Sequence, residues 1–554
     1  MALSDTSAGL LTVAALIGLL ALAWAPVGDY LAAVLTPDRH TRLERLGYRG
    51  LGVNPDSAQS ARSYLLAVLA FSLASVVLLF LLLVFQDRLP LSRELPGMDW
   101  SMALNTAVSF VTNTNWQSYA GESTLGYLAQ MSGLAVQNFV SAAVGIAVAA
   151  ALIRALMARR TDEVGNFWVD LIRINLRLLL PLSLLAAVVL MAGGVVQNLA
   201  DVSSVGVAGQ VQTLPGGPVA GQEAIKLLGT NGGGFFNANS AHPYENPTPW
   251  TNLFETFLLL VIPFSLTRTF ATMTGHRRQG RALLAVMVVL WAASVAVTVW
   301  AEAGRYGLSA QAAGAAMEGK ETQFGVWASA IFAASTTATS TGAVNASHDS
   351  MTPMGGGVPL INMLLGETTP GGVGSGLYGL LVLAILAVFV AGLMVGRTPE
   401  FLGKKIGAAQ MTPVALYVLV SPFAVLVGTG LAMALASTPD AMNNSGAHGF
   451  SEVLYAYASA GNNNGSAFAG ITVTSDFFQL TLAAAMLLAR FGGIALVLWL
   501  AGTLARSPQV PVTAGTLPTH TLLFVGLLVG VILLVSGLTF FPSLALGPIA
   551  EAVS

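Results

Sequence analysis

The sequence contains no cysteine and few charged residues. Without cysteine the chain has no disulfides, no thiolate metal sites and no thiol nucleophile. Charged residues occupy 9% of the 554 positions and apolar residues 55%, whereas soluble globular proteins carry about 25% charge. The 24 Lys and Arg are balanced by 26 Asp and Glu, so there is no basic excess to bind a phosphate backbone. These absences exclude a soluble enzyme, a disordered module and a nucleic-acid-binding protein, and they indicate a membrane protein.

Ten apolar segments are long enough to cross a bilayer as helices. A spanning helix needs roughly 20 apolar residues to cross the hydrocarbon layer. The segments lie near residues 7–27, 63–86, 128–153, 174–196, 252–273, 282–301, 376–396, 412–436, 481–504 and 519–541. We therefore expect an all-α polytopic membrane protein with about ten transmembrane helices.

The positive charges are concentrated in alternate connections between these segments. If the N-terminus lies outside, the cytoplasmic connections hold 19 of the 24 Lys and Arg, with Arg490 counted among them. The outer connections are longer and hold only five. By the positive-inside rule, both termini are expected on the outer side. An alternative reads the first segment as a signal peptide ending near residues 21–23, but no cation precedes the apolar run.

Four of the outer connections contain a polar strip after an apolar or weakly amphipathic stretch. These four strips, numbered in chain order, are residues 111–117, 228–234, 335–345 and 459–466. With Asn115, Gly232, Gly342 and Gly465 as markers, their separations are 117, 110 and 123 residues. A unit of span, short helix, strip and span thus recurs four times. The recurrence predicts four pseudo-equivalent quarters around an axis.

The strips are rich in Thr, Ser, Asn and Gly and contain neither Asp nor Glu. A monovalent cation entering a membrane must exchange its water shell for neutral oxygens, whereas carboxylates suit divalent ions. We expect the glycines to supply positive φ angles and the short helices to direct their negative C-terminal ends at the ion. A single strip is more typical of a surface turn, but its fourfold recurrence favours a site for a monovalent cation.

Five longer motifs resemble the KdpA family of the Kdp potassium-transporting ATPases, and the likeness extends from the first span to the last. The motifs are NTNWQSY at 113–119, TNGGGFFNANSAHP at 230–243, AVNASHDS at 343–350, GRTPEFLGKK at 396–405 and GNNNGSAF at 461–468. The resemblance implies four repeats of helix, pore helix, filter loop and helix around a central pore. It also implies a potassium-binding subunit in the bacterial inner membrane, in complex with KdpB, KdpC and KdpF, with KdpB as the P-type pump.

Carried over position by position, the family's potassium filter falls on three residues of each strip. These residues are Asn113, Thr114, Asn115, Thr230, Asn231, Gly232, Ser340, Thr341, Gly342, Asn463, Asn464 and Gly465. The resemblance implies that Gln117 tunes ion affinity and selectivity, although an ordinary hydrogen bond at the mouth is an equal alternative. Thr341 stands where some relatives have cysteine, which places any side-chain role there in doubt.

The third quarter has an apolar run that is broken at residues 366–372. A break at membrane depth is tolerated only against protein or water. The resemblance favours an interrupted helix whose loop lies below the filter, so that the ion leaves sideways toward the pump subunit. The gating or barrier candidates are Glu367, Gly371, Gly372 and Arg397. The alternative makes 355–375 an outer loop and Arg397 an ordinary cytoplasmic arginine.

The quarters and the extra end segments predict six regions of the chain. These are 1–60 (extra first span and cytoplasmic loop), 61–165, 166–276, 277–408 and 409–510 (repeats one to four, the third with the interrupted helix), and 511–554 (extra last span).

No residue pattern indicates catalysis by this chain. The one GxxxxGK match, at 314–320, is followed by Glu321 where a Ser or Thr would bind magnesium. The six histidines lack zinc-site spacing, and His348-Asp349 lacks a nucleophile motif. We therefore expect potassium as the only bound ion, no bound nucleotide, and ATP hydrolysis in a partner subunit. A Trk/Ktr-type transporter without a pump subunit shares the fourfold layout, whereas an intramembrane enzyme would need a metal or nucleophile that is not found.

Overall fold

Ten long helices dominate the computed structural model, which describes residues 5–36, 39–200, 203–207, 210–304, 317–366, 368–511 and 515–553. Within those residues, ten helices are long and apolar enough to cross a membrane. In chain order, these first to tenth spans are Asp5–Leu35, Ala61–Val84, Ala129–Met157, Phe167–Ala192, Pro249–Thr274, Arg277–Ala303, Ser375–Met394, Ala408–Met433, Asp476–Arg506 and Leu522–Val553. Each overlaps one predicted segment, so the prediction of about ten transmembrane helices is confirmed.

The spans divide into central and peripheral helices. In the most apolar 18-residue window of each helix, 83% of the third span and 78% of the fifth is buried, against 6% of the first and 22% of the tenth. The first span is held to the fifth by a bidentate ion pair in which Arg268 donates to Asp29 at 2.8 Å. The central spans form the core, and the first and tenth spans lie at the periphery with most of their apolar surface exposed.

Local sequence signals set the beginnings of several spans. The hydroxyl of Ser60 accepts a hydrogen bond from the Ser63 amide at the start of the second span. Asn166 caps the fourth span, and Thr248 and Thr251 form a reciprocal capping pair at the fifth. Such caps satisfy amides that the first helical turn leaves without partners.

Four short helices precede the four strips and complete the fourfold layout. These first to fourth short helices are Trp100–Val111, Val219–Leu228, Gly325–Ala338 and Gly446–Gly461. Each follows one span and precedes another, and in the third quarter the returning helix is split into Pro353–Leu364 and the seventh span. The predicted order of helix, pore helix, loop and helix is therefore confirmed.

The remaining described elements are short. The helical ones are Arg42–Gly50, Gln86–Arg88, Gly121–Thr124, Asn239–Ala241 and Thr438–Ala441. The strands form antiparallel pairs of Gln59–Ser60 with Glu163–Gly165, Ser203–Val207 with Gln210–Leu214, and Glu400–Phe401 with Lys404–Lys405. All three pairs lie in connections, and the helices build most of the core, to which Val164 and Phe401 from two of the strand pairs also contribute.

Candidate functional site

All four short helices end in the same backbone turn. The first predicted filter residue of each strip has a left-handed φ, which is 65° at Asn113, 43° at Thr230, 57° at Ser340 and 53° at Asn463. The next amide then donates to the carbonyl five residues earlier. These bonds are Thr114 to Ser109 at 2.9 Å, Asn231 to Lys226 at 2.9 Å, Thr341 to Thr336 at 3.0 Å and Asn464 to Ser459 at 2.9 Å. A left-handed residue followed by this bond is a Schellman ending, so every strip leaves its helix in the same way.

The first three strips are joined by direct hydrogen bonds. The Asn113 side-chain amide donates to the Thr230 carbonyl at 3.0 Å, which links the first strip to the second. The Gly342 amide donates to the Asn231 carbonyl at 2.8 Å, which links the third strip to the second. Each bond connects predicted filter residues that are more than 100 positions apart in the chain.

The fourth strip closes the ring. The Ser340 hydroxyl donates to the Asn463 carbonyl at 3.0 Å, which links the third strip to the fourth. The Asn463 side-chain amide donates to the Thr114 hydroxyl at 3.0 Å, which returns to the first strip across 349 residues. The four strips therefore form a closed ring in which each contacts the next.

Glycine at the third position allows the strips to approach closely. A Cβ on Gly232 would lie 2.5 Å from the Gly342 Cα, and one on Gly342 would lie 2.5 Å from the Gly465 carbonyl carbon. A Cβ on Gly465 would overlap the Thr114 carbonyl oxygen. Of these three glycines only Gly465 has a positive φ, at 94°. The expectation that glycine supplies the positive φ is therefore wrong for Gly232 and Gly342, because the turn is made two residues earlier.

The ring is buried and neutral. All twelve predicted filter residues are buried, and none of their side chains carries a charge. The hydroxyl of Thr341 lies 2.9 Å from that of Thr339, just as the hydroxyl of Thr114 lies 2.8 Å from that of Thr112. The hydroxyl of Thr341 thus contacts another residue of its own strip, as the hydroxyl of Thr114 does. Neutral oxygens and the C-terminal ends of four helices suit a weakly hydrated cation.

Gln117 follows the predicted filter residues of the first strip and connects this strip to the second. Its side-chain oxygen accepts a hydrogen bond from the Gly234 amide at 2.8 Å, and its nitrogen donates to the Tyr119 hydroxyl at 3.3 Å. A Cβ on Gly233 would lie 2.5 Å from the same oxygen. Gln117 therefore lies at the ring and has a definite hydrogen-bonding role.

The loop that splits the third-quarter helix packs against the ring. The Gly371 amide donates to the Ala338 carbonyl at 2.7 Å, and the Val373 amide donates to the Thr230 hydroxyl at 2.9 Å. A Cβ on Gly372 would lie 3.2 Å from the Ser340 Cβ. Residues 368–374 are buried, and these contacts hold the loop against the third short helix and the second and third strips. Glu367 lies outside the described residues.

Arg397 and Arg490 differ in burial. Arg397 is exposed beyond the end of the seventh span, where its amide donates to the Gly392 carbonyl at 2.8 Å. Arg490 lies in the ninth span and is 5% exposed. Its guanidinium donates to the Ser141 carbonyl at 3.2 Å, and the Ser141 hydroxyl donates to Asn113 at 2.8 Å. The assignment of Arg490 to a cytoplasmic connection is therefore wrong.

Arg490 is a residue that the sequence analysis missed. It borders a small cavity of about 40 Å³ whose lining includes Asn463, Gly366 and Ser375. This cavity lies between the fourth strip and the interrupted helix. An ionisable residue inside an apolar span is the signal that would have identified it, because such residues are costly unless they serve a function.

A cluster of charged residues supports the second strip from behind. Lys226, in the last turn of the second short helix, is fully buried. Its ammonium lies 2.6 Å from Glu223 and 3.0 Å from Glu245, and it donates to Asn239 at 2.9 Å. Glu245 in turn accepts a hydrogen bond from the Phe236 amide at 2.7 Å. This Lys226 cluster holds the segment after the second strip against the short helix.

Comparison with known proteins agrees with this architecture. The family model described as KdpA, potassium-transporting ATPase A subunit, matches residues 14–553. Two similar proteins are named potassium-transporting ATPase potassium-binding subunit. The one from Kineococcus radiotolerans is 58% identical over 553 residues, covering 100% of this chain and 99% of the relative. The one from Streptomyces coelicolor is 56% identical over 553 residues and covers 100% of both chains.

A solved structure shares the fold. The crystal structure of the potassium transporter TrkH from Vibrio parahaemolyticus aligns with a TM-score of 0.55 at 14% sequence identity, covering 88% of this chain and 96% of that one. This likeness concerns the fold alone. The match along nearly the whole chain, at more than half identity to named relatives, shows that the chain belongs to the KdpA family of potassium-transporting ATPase A subunits.

Proposed function

We propose that the closed ring of four strips is a potassium selectivity filter. The observation that carries this proposal is the ring itself, in which four identical helix ends present neutral, buried groups and are joined strip to strip. The ligands are the twelve predicted filter residues, and Gln117 tunes affinity from the mouth. The relatives' printed name, potassium-binding subunit, supports potassium as the ion.

The segment below the filter prevents straight passage to the cytoplasm. The loop at 368–374, with Gly371 and Gly372, packs under the second and third strips. Arg490 places a positive charge beside the first strip. We assign the barrier to this loop and to Arg490 rather than to the exposed Arg397. A potassium ion held above a cationic barrier leaves sideways, toward a pump subunit.

The chain works in an ATP-driven complex in the bacterial inner membrane. The pump subunit KdpB hydrolyses ATP, and KdpC and KdpF complete the assembly, while this chain binds no nucleotide. Both termini lie on the outer side, and the chain divides into an end segment, four repeats and a second end segment at the boundaries given above. The distribution of Lys and Arg supports this orientation.

Difference maps test the filter directly. Cryo-electron microscopy of the chain in lipid nanodiscs, in potassium and in sodium, should show potassium-dependent density within the ring. Thr114 and Asn464 flank that position. Density confined to other parts of the molecule, or equal density in sodium, would contradict the proposal.

Flux measurements separate the pump subunit from the Trk/Ktr alternative. The chain alone in vesicles is expected to pass no sustained potassium current and to hydrolyse no ATP, whereas the complex should hydrolyse ATP in response to potassium. Rapid gradient-driven flux through the chain alone would favour the transporter, as would the absence of any potassium effect on ATP hydrolysis by the complex.

A further inference from the structure

Four ionisable side chains from distant segments meet near the beginning of the fourth short helix. Nε2 of His448 lies 2.9 Å from Asp349, and Nδ1 of the same ring lies 2.7 Å from Glu551. One potential ligand atom from each of Asp349, His448 and Glu452 lies within 4.8 Å of the other two. Asp349 and His448 are 99 residues apart, so no local spacing could reveal the group.

A glycine allows the two carboxylates to approach each other. A Cβ on Gly470 would lie 2.5 Å from both the Asp349 Oδ1 and the Glu452 Oε1. Both oxygens therefore lie against the same glycine, and any side chain at position 470 would displace them. Separate bonds fix them there, because the Asp349 amide donates to the Phe468 carbonyl at 2.9 Å and the Asn443 amide donates to Glu452 at 3.1 Å.

Glu551 lies where a carboxylate can orient the His448 ring for metal binding. When one ring nitrogen of a histidine binds a metal, the other usually donates to a carboxylate, which fixes the tautomer and strengthens the ligand. Here Glu551 occupies Nδ1 and leaves Nε2 facing Asp349. Three carboxylates surround a single imidazole, so the group has an excess of negative charge that a dication would balance.

We propose that Asp349, His448 and Glu452 form a site for a divalent transition-metal ion, for which zinc is the best match. Zinc takes imidazole nitrogen and carboxylate oxygen together, whereas magnesium and calcium prefer oxygen ligands alone. The ion ties together the loop after the third strip, the fourth short helix and, through Glu551, the end of the tenth span. This site is separate from the potassium ring and does not depend on the ion bound there.

Calorimetric titration of the untagged full chain in nanodiscs with zinc chloride tests the site. One zinc per chain is expected, and His448→Gln should abolish saturable binding. Glu551→Gln should weaken binding by about 10- to 100-fold. His276→Gln is the matched control, because His276 lies before the sixth span and bonds its neighbour Thr274; binding should be unchanged. Magnesium chloride should give no comparable binding.

Gly470→Ala provides a second variant that keeps every ligand. It should remove zinc binding by displacing the Asp349 and Glu452 oxygens, while thermal unfolding in the absence of zinc shows that the chain still folds. Potassium binding, measured on the same samples, reports separately on the filter. Absence of one-site zinc binding to the unaltered chain would overturn the metal site, as would zinc binding that survives both His448→Gln and Gly470→Ala.

Discussion

The closed ring of four strips and the Lys226 cluster are both buried and polar, and they are only a few residues apart, yet they are built on opposite principles. The ring uses neutral amides, hydroxyls and carbonyls and repeats its geometry in four quarters. The Lys226 cluster uses one ammonium and two carboxylates, and it belongs to the second quarter. A charge in the ring would bind or repel the ion permanently, so charged pairs are kept behind it.

The two regions support different properties of the protein. A buried charge is strongly destabilising when its partner is removed, so the Lys226 cluster should control folding. Neutral ligands each contribute modestly and must be placed accurately, so the ring should control affinity. Variants that break one region should leave the property of the other intact.

Lys226→Met is expected to have the largest effect on stability. It leaves Glu223 and Glu245 buried without their cation, which should lower the free energy of unfolding by about 3–5 kcal/mol. Thermal unfolding in nanodiscs measures the loss, and Lys405→Met is the control because Lys405 is exposed. Equal unfolding temperatures for the two variants would show that the cluster does not hold the fold.

Gly465→Ala should have the opposite signature. The added Cβ would overlap the Thr114 carbonyl at a position whose φ is 94°, and strain of this kind costs about 1–3 kcal/mol. We expect potassium affinity to fall by about 10- to 100-fold in calorimetric titrations. Gly430→Ala, where nothing lies within 4 Å of the new Cβ, is the control. Unchanged affinity in Gly465→Ala would remove Gly465 from the filter.

Gln117→Arg tests whether charge must stay out of the ring's mouth. A guanidinium there would repel an arriving cation, and we expect potassium affinity to fall by about tenfold, which corresponds to about 1.4 kcal/mol. Gln117→Leu removes the hydrogen bonds without adding charge and should have a smaller effect. If the two variants lowered potassium affinity equally, the hydrogen bond to Gly234 would be the important feature rather than the added charge.

The smallest effects are expected from the arginine pair. Arg490→Gln removes the buried cation beside the first strip and should allow a slow passive potassium leak in vesicles. Arg397→Gln changes an exposed side chain and should leave the flux at background. If only the Arg397→Gln variant leaked potassium, the barrier would be assigned to Arg397, as the family resemblance implies.

Much of the fold was predictable because its signals are local. Each span is a long apolar run, and each strip follows a short helix, so both can be recognised within one window of sequence. The twelve proposed filter positions came from motifs, and their strips meet in one ring. The errors concern residues whose surroundings are distant. Arg490 was counted with the cytoplasmic cations although it lies inside a predicted span, and its contact with Ser141, 349 residues away, exists only once the spans have packed.

The glycines of the strips are a second case in which contacts between distant segments could not be predicted from the sequence. The glycines of the strips were expected to supply the positive φ angles, yet the first positive φ of each strip falls on Asn, Thr, Ser or Asn. Gly232 and Gly342 are required instead because neighbouring strips leave no room for a side chain. That requirement exists only after the strips have met.

The ten spans, the four polar strips, the absence of charge within them and the family can all be read from the amino-acid sequence. A hydrophobic run and a helix ending depend on residues within a few turns of each other, and these can be read along the chain. The tertiary structure alone decided that the strips close into a ring, that Arg490 rather than Arg397 lies beside it, and that His448 meets Asp349. Those contacts join residues about 100 to 350 positions apart, and only the packing of the spans brings them together.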